Sequence, residues 1–120
     1  MNISKFTQKS VQAVQDLEKI AYEYGNQEIE EEHLLYALLT QEDSLILKLI
    51  EKMEIQKEYF IDTVKRALDA RVKVSGGELR FGQYLNKALV SAEDEAKAMG
   101  DEYVSVEHLF LSMLKNPARA

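Results

Sequence analysis

The chain has no cysteine, no tryptophan and a single proline among its 120 residues. Without cysteine there is neither a disulfide framework nor a thiolate metal site. Histidine is scarce as well, with only His33 and His108 present. No apolar run approaches the ~20 residues of a membrane-spanning helix. The N-terminus lacks the basic and apolar segments of a secretory signal, so the expected location is the cytoplasm. Basic charge is in short supply: Lys and Arg number 15 against 21 Asp and Glu, a net charge of −6. That balance argues against nucleic acid or an anionic membrane as partner. No G-x-x-x-x-G-K-[S/T] loop occurs, so the chain itself is expected neither to bind nor to hydrolyse ATP.

What is present is a repeat. Shifted by 75 positions, residues 6–39 lie on 81–114 without a gap, and ten of the 34 pairs are identical. Among them are Gly25/Gly100, Glu32/Glu107, His33/His108 and Leu34/Leu109, which share the pattern G-x-x-x-[I/V]-x-x-E-H-L. Self-similarity at a fixed period identifies a duplicated structural unit. At this length the chain is one domain. Repeat one covers about 1–71, a linker with Gly76-Gly77 covers about 72–80, and a partial repeat two covers about 81–115.

Each repeat opens with an amphipathic helix. Phe6, Ser10, Ala13, Val14, Leu17, Ala21 and Tyr24 fall at steps of three and four, as do Phe81, Leu85, Ala88, Leu89, Ala92, Ala96 and Met99. Thr7 is the expected N-cap, with Phe6 and Val11 as a hydrophobic staple, and Gly82 holds the equivalent place. Gly25 and Gly100 are placed to end these helices in the left-handed conformation. A short helix follows each glycine. Ser105 caps the second, with Val104 and Leu109 as its staple; Glu30, a weaker cap, has Ile29 and Leu34. Leu34, Leu35, Leu38 and Leu39 should face inward, and so should Leu109, Phe110, Met113 and Leu114.

Repeat one continues with two more helices. Asp43 or Ser44 caps the first, whose apolar face is Leu45, Ile46, Leu49, Ile50 and Met53. The next spans about 57–71, with Phe60, Ile61, Val64 and Leu68 inward. No strand-like alternation occurs, so the expected fold is all-α: a pseudo-twofold duplicated helical repeat, with repeat two truncated after its second helix. Asn116-Pro117 reads as a stop for that helix.

These features resemble the N-terminal domain of Clp ATPases: Phe6-Thr7 opening a helix, the Gly25 and Gly100 stops, the paired Glu-His-Leu turns and the 75-residue duplication. Gln41-Glu42-Asp43 and the stretch Asp94-Glu95-Ala96-Lys97-Ala98-Met99-Gly100-Asp101 look most similar to the ClpB disaggregase branch. The ClpC branch more often has Gly-Thr-Glu-His at the turns. The resemblance implies two four-helix repeats, tethered in the parent protein to two ATPase modules in a hexameric ring. It implies a non-catalytic domain that docks unfolded or aggregated polypeptide, or an adaptor. ATP belongs to the parent's modules; none is expected here. The isolated domain is expected to be a monomer unless a second chain supplies the missing hairpin. The ClpC-type alternative is docking of an adaptor or a phosphoarginine-marked substrate, with the glutamate of the turn taking the guanidinium. Ser105 and Val106 suit the phosphate better than Glu30 and Glu31 do. A free-standing interaction module is a further alternative.

The resemblance carries substrate handling to Thr7, Asp101 and Glu107, each of which also suits a cap or turn role. Glu32 is the repeat-one counterpart of Glu107. An apolar groove along the seam between repeats is expected near Val11, Tyr84, Tyr103 and His108. A metal-dependent hydrolase built on the Glu-His pairs is disfavoured. Adjacent residues on a helix point about 100° apart, and no His-Glu-x-x-His motif is present. His33 and His108 are expected at the edge of a packed turn.

Overall fold

Thr7 starts the first helix as the spacing requires: the Ser10 N–H donates to its Oγ1 at 3.3 Å. In the computed structural model, which describes residues 3–74 and 76–116, a 3₁₀ turn at Ile3–Lys5 precedes α1, Gln8–Glu23. Then come β1 (Glu28–Ile29), α2 (Glu31–Leu39), α3 (Leu45–Lys52) and α4 (Lys57–Asp69). Repeat two supplies β2 (Arg80–Phe81), α5 (Gln83–Ala98) and α6 (Val106–Lys115). Ser75 of the linker, and Pro117 of the expected helix stop, lie outside the described residues. The helix ends at Lys115, with Asn116 as its cap.

Both long helices stop in the same way. Gly25 and Gly100 have φ of 70° and 73°. The Asn26 N–H reaches the Ala21 carbonyl and the Asp101 N–H reaches the Ala96 carbonyl, each at 2.8 Å. These are paired Schellman ends, and they put Asn26 and Asp101 at equivalent points just past their helices.

Two short parallel pairings join the repeats, where the sequence suggested no strand at all. Ile29 of β1 pairs with Phe81 of β2, while Phe6 forms a bridge with Val104. Phe6 and Phe81 are counterparts, as are Ile29 and Val104, so each repeat gives its helix entry to the turn of the other. Segments of two residues are too short to show an alternating pattern.

Gly82 has no side chain to cap α5, and repeat one supplies the cap. The Leu85 N–H donates to Glu30 Oε1 at 2.9 Å. The Glu30 carboxylate fills the space that a Cβ on residue 82 would need. Burial pushes the Glu30 carboxyl above its ordinary value, partly offset by that N–H. Ser105, the counterpart of Glu30, is shorter, and α1 has its own cap in Thr7.

One core runs through both repeats, with Leu17, Leu34, Leu38, Leu85, Leu89 and Leu109 fully buried. Four expected core residues are exposed instead: Leu45 at 41%, Met53 at 59%, Met99 at 55% and Leu114 at 60%. Leu45 lies in the first turn of α3 and Met53 caps its end, both beyond the covered stretch. Tyr24, the counterpart of Met99, is half-buried because Tyr36 packs edge-on against it and Lys73 of the linker lies over its ring. Leu39 is 2% exposed because α3 and α4 pack on α2; its counterpart Leu114 has no such pair above it among the described residues.

Candidate functional site

Each histidine locks a turn from within. The Glu30 N–H donates to His33 Nδ1 at 2.9 Å, and the Ser105 N–H donates to His108 Nδ1 at 2.9 Å. Both histidines occupy the third helical position, where a capping box normally has Glu or Gln. An Nδ1 that accepts leaves the proton of the neutral ring on Nε2. His33 Nε2–H then donates to Asn26 Oδ1 at 3.0 Å, and His108 Nε2–H to Asp101 Oδ2 at 2.9 Å. His33 is fully buried and His108 is 5% exposed, so neither stands at an edge. Burial, followed by the nearby Arg71 charge, lowers the His33 pKa to about 4. In repeat one the network continues, with the Asn26 side-chain amide donating to the Val72 carbonyl at 3.1 Å.

Thr7 and Glu107, a hundred positions apart in sequence, line one cavity of about 200 Å³. It lies where the N-terminal ends of α1, α3 and α6 converge, walled also by Lys9, Gln41, Asp43, Leu45, Ser105 and Val106. The Thr7 N–H donates to the Val104 carbonyl at 3.0 Å, which clamps the start of α1 to the turn before α6. Gln41 donates to the Lys9 carbonyl and Lys9 to the Glu42 carbonyl, both at 2.8 Å, fixing the third wall. Asp43 is taken by Lys48 at 2.6 Å, which holds its carboxyl below the usual value. Glu107 is exposed and has no ion-pair partner among the described residues. The cavity therefore offers one uncommitted carboxylate beside apolar Val106 and Leu45.

Compared with known proteins, the Clp repeat (R) N-terminal domain profile matches residues 5–120. The chain belongs to the Clp N-terminal domain family. Chaperone protein ClpB of Nitratidesulfovibrio vulgaris is 42% identical over 98% of the chain. The chain spans about 14% of the length of that curated relative. Among solved structures, the Hsp104 N-terminal domain from Candida albicans matches with a TM-score of 0.84 at 21% identity, over 93% of this chain and 75% of that one. A ClpV N-domain in complex with a VipB peptide matches with a TM-score of 0.72 at 21% identity, over 94% and 69%. At those identities the two structures speak for the fold.

Not all the expected site residues of this Clp N-terminal domain come together. Asp101 does not line the Thr7–Glu107 cavity; it connects to it through His108 and Ser105. Glu32 is elsewhere and engaged, with Arg71 Nη1 at 2.6 Å, so the two turns are not equivalent. Val11, Tyr84, Tyr103 and His108 line neither the Thr7–Glu107 cavity nor the larger apolar cavity described below. Tyr103 adjoins the Phe6–Val104 bridge and Tyr84 adjoins the β1–β2 pair, both exposed. Val11 is half-buried against the core, and His108 is buried in its own network.

A larger and mostly apolar cavity, about 680 Å³, opens between α4 and the end of α6. Phe60, Ile55, Met53, Phe110, Met113 and Leu114 line it, together with the ion-paired Glu32 and Arg71. It is not expected from the sequence, which reads Leu114 as facing inward. Nothing in the sequence marks Lys9 or Gln41 as walls of the smaller cavity, because their roles arise from contacts to backbone carbonyls. Among the described residues no three His, Asp or Glu side chains stand together as a metal site, and no helix is long and apolar enough to cross a membrane.

Proposed function

We propose that this Clp N-terminal domain is the non-catalytic docking domain of a ClpB-type disaggregase, and that extended polypeptide docks at the Thr7–Glu107 cavity. The observation carrying this reading is that both repeats contribute to one cavity holding an unpaired carboxylate next to apolar walls. Such a surface suits an unfolded segment with basic and apolar side chains: apolar contact gives sequence-tolerant affinity, and the charge orients the chain. The ClpV N-domain complex supports peptide docking as a use of this fold. In the parent protein the domain acts in the cytoplasm, tethered to ATPase modules that bind ATP and form a hexamer.

The test is the affinity of a labelled, unfolded peptide of leucine, lysine and glycine, read by fluorescence anisotropy. Glu107→Gln is expected to weaken binding roughly fivefold at low salt, the value of about 1 kcal/mol for an exposed charge pair. The difference should shrink at high salt. Equal affinity of the variant and the wild type at low salt would remove Glu107 from the site.

A further inference from the structure

Asp101 stands outside the cavity, yet it is tied to the turn that forms one of its walls. Its Oδ2 receives the His108 Nε2–H at 2.9 Å. His108 Nδ1 in turn receives the Ser105 N–H at 2.9 Å and lies 2.9 Å from Ser105 Oγ. Ser105 is the N-cap of α6, and Glu107 lies two residues on, in the same first turn. The chain of contacts therefore runs from the end of α5, through a buried ring, to the turn that presents Glu107.

Repeat one contains the control. Asn26 occupies the position of Asp101, and its amide oxygen receives the His33 Nε2–H at 3.0 Å. A neutral amide and a carboxylate thus meet the same demand with the same geometry. What the ring requires of this position is an acceptor for its Nε2 proton. Without one, the Nε2–H of a buried ring is left unpaired, and the Ser105 N–H accepted at Nδ1 is the one remaining contact that favours this tautomer, so the other tautomer competes and the hold on the turn weakens.

We infer that Asp101 is a positioning residue for the docking site: through His108 and Ser105 it fixes the first turn of α6 and with it Glu107, and its negative charge is not itself used on the docked chain. The inference rests on the docking reading above for its functional consequence, but not for its structural one. The alternative is direct contact, since the Asp101 side chain is 52% exposed and its second oxygen is open to a basic partner.

The two are separated by Asp101→Asn and Asp101→Ala, measured in parallel with the wild-type domain. The first readout is the imidazole 15N spectrum of His108 without peptide. Wild type and Asp101→Asn should hold the Nε2–H tautomer, while Asp101→Ala should show a mixture, with shifted Ser105 and Glu107 amides. The second is affinity for the leucine, lysine and glycine peptide. Asp101→Asn should bind within about twofold of wild type and Asp101→Ala up to about tenfold more weakly, as expected for one lost hydrogen bond. Asn failing as badly as Ala would overturn the inference in favour of charge contact. Wild-type affinity in Asp101→Ala, or an unchanged His108 tautomer in it, would overturn it too. If the wild type binds no peptide, the docking reading fails, and the tautomer arm still decides whether Asp101 holds the turn.

Discussion

His33 is the side chain whose burial has the clearest consequence in solution. Its pKa of about 4 lies below the ordinary histidine value, so between pH 6.5 and 4 the unfolded chain binds the proton and the folded chain does not. Stability contributed by neutral His33 is therefore fully present above about pH 6.5 and is lost as pH falls toward 4, on the order of 3 kcal/mol in all. Glu30 acts in the opposite direction, because its raised carboxyl favours the folded state as it protonates. Urea denaturation across this range should show the loss in wild type. His33→Gln, whose amide oxygen can still accept the Glu30 N–H, should lack the His33 part of it. Parallel curves for the two proteins would contradict this account. Gly82 offers a second case. Gly82→Ala forces the Glu30 carboxylate out of its pocket and away from the Leu85 N–H. A loss of about 1–3 kcal/mol is expected by urea denaturation. Glu30→Ala alone should cost about 1 kcal/mol as a lost cap, and the two losses should not add, because the sites share one contact.

Helix for helix, the spacing of apolar residues was a reliable guide wherever a second element covers the face it marks. Leu39 and Leu114 are identical in type and repeat position, yet one is 2% and the other 60% exposed. Periodicity states which way a residue points on its helix, not whether anything packs there. The expected consequence is direct: Leu39→Ser should destabilise by about 2–5 kcal/mol, whereas Leu114→Ser should change stability by no more than about 0.5 kcal/mol. Thermal denaturation of both variants measures the contrast. The bridges Ile29–Phe81 and Phe6–Val104 were not legible, because a two-residue strand leaves no pattern. The Schellman ends were, since Gly25 and Gly100 stand where a left-handed residue is needed. Of the candidate site, Thr7 and Glu107 were identified by resemblance and brought together only by the fold. Asp101 was identified with them and Gly100 places it just past its helix, but its contact with His108 arises only in the fold.

Taken whole, the molecule is a duplication whose halves have exchanged parts. Each turn pairs with the other repeat's helix entry, and repeat one lends Glu30 to cap repeat two. The same crossing brings Thr7 of one repeat beside Glu107 of the other. The halves have also diverged. Glu32 is closed off by Arg71, while Glu107 is left uncommitted at a cavity. The proposed docking is at this junction, rather than at either repeat alone. Its most direct test is amide chemical-shift mapping on the 15N-labelled domain titrated with the unfolded leucine, lysine and glycine peptide. Saturable shifts are expected to cluster at Thr7, Lys9, Ser105, Val106 and Glu107 and to be reduced together by Glu107→Gln. Shifts confined to Met53, Phe110 and Leu114 around the larger apolar cavity, or no saturable shifts at all, would contradict docking at the junction.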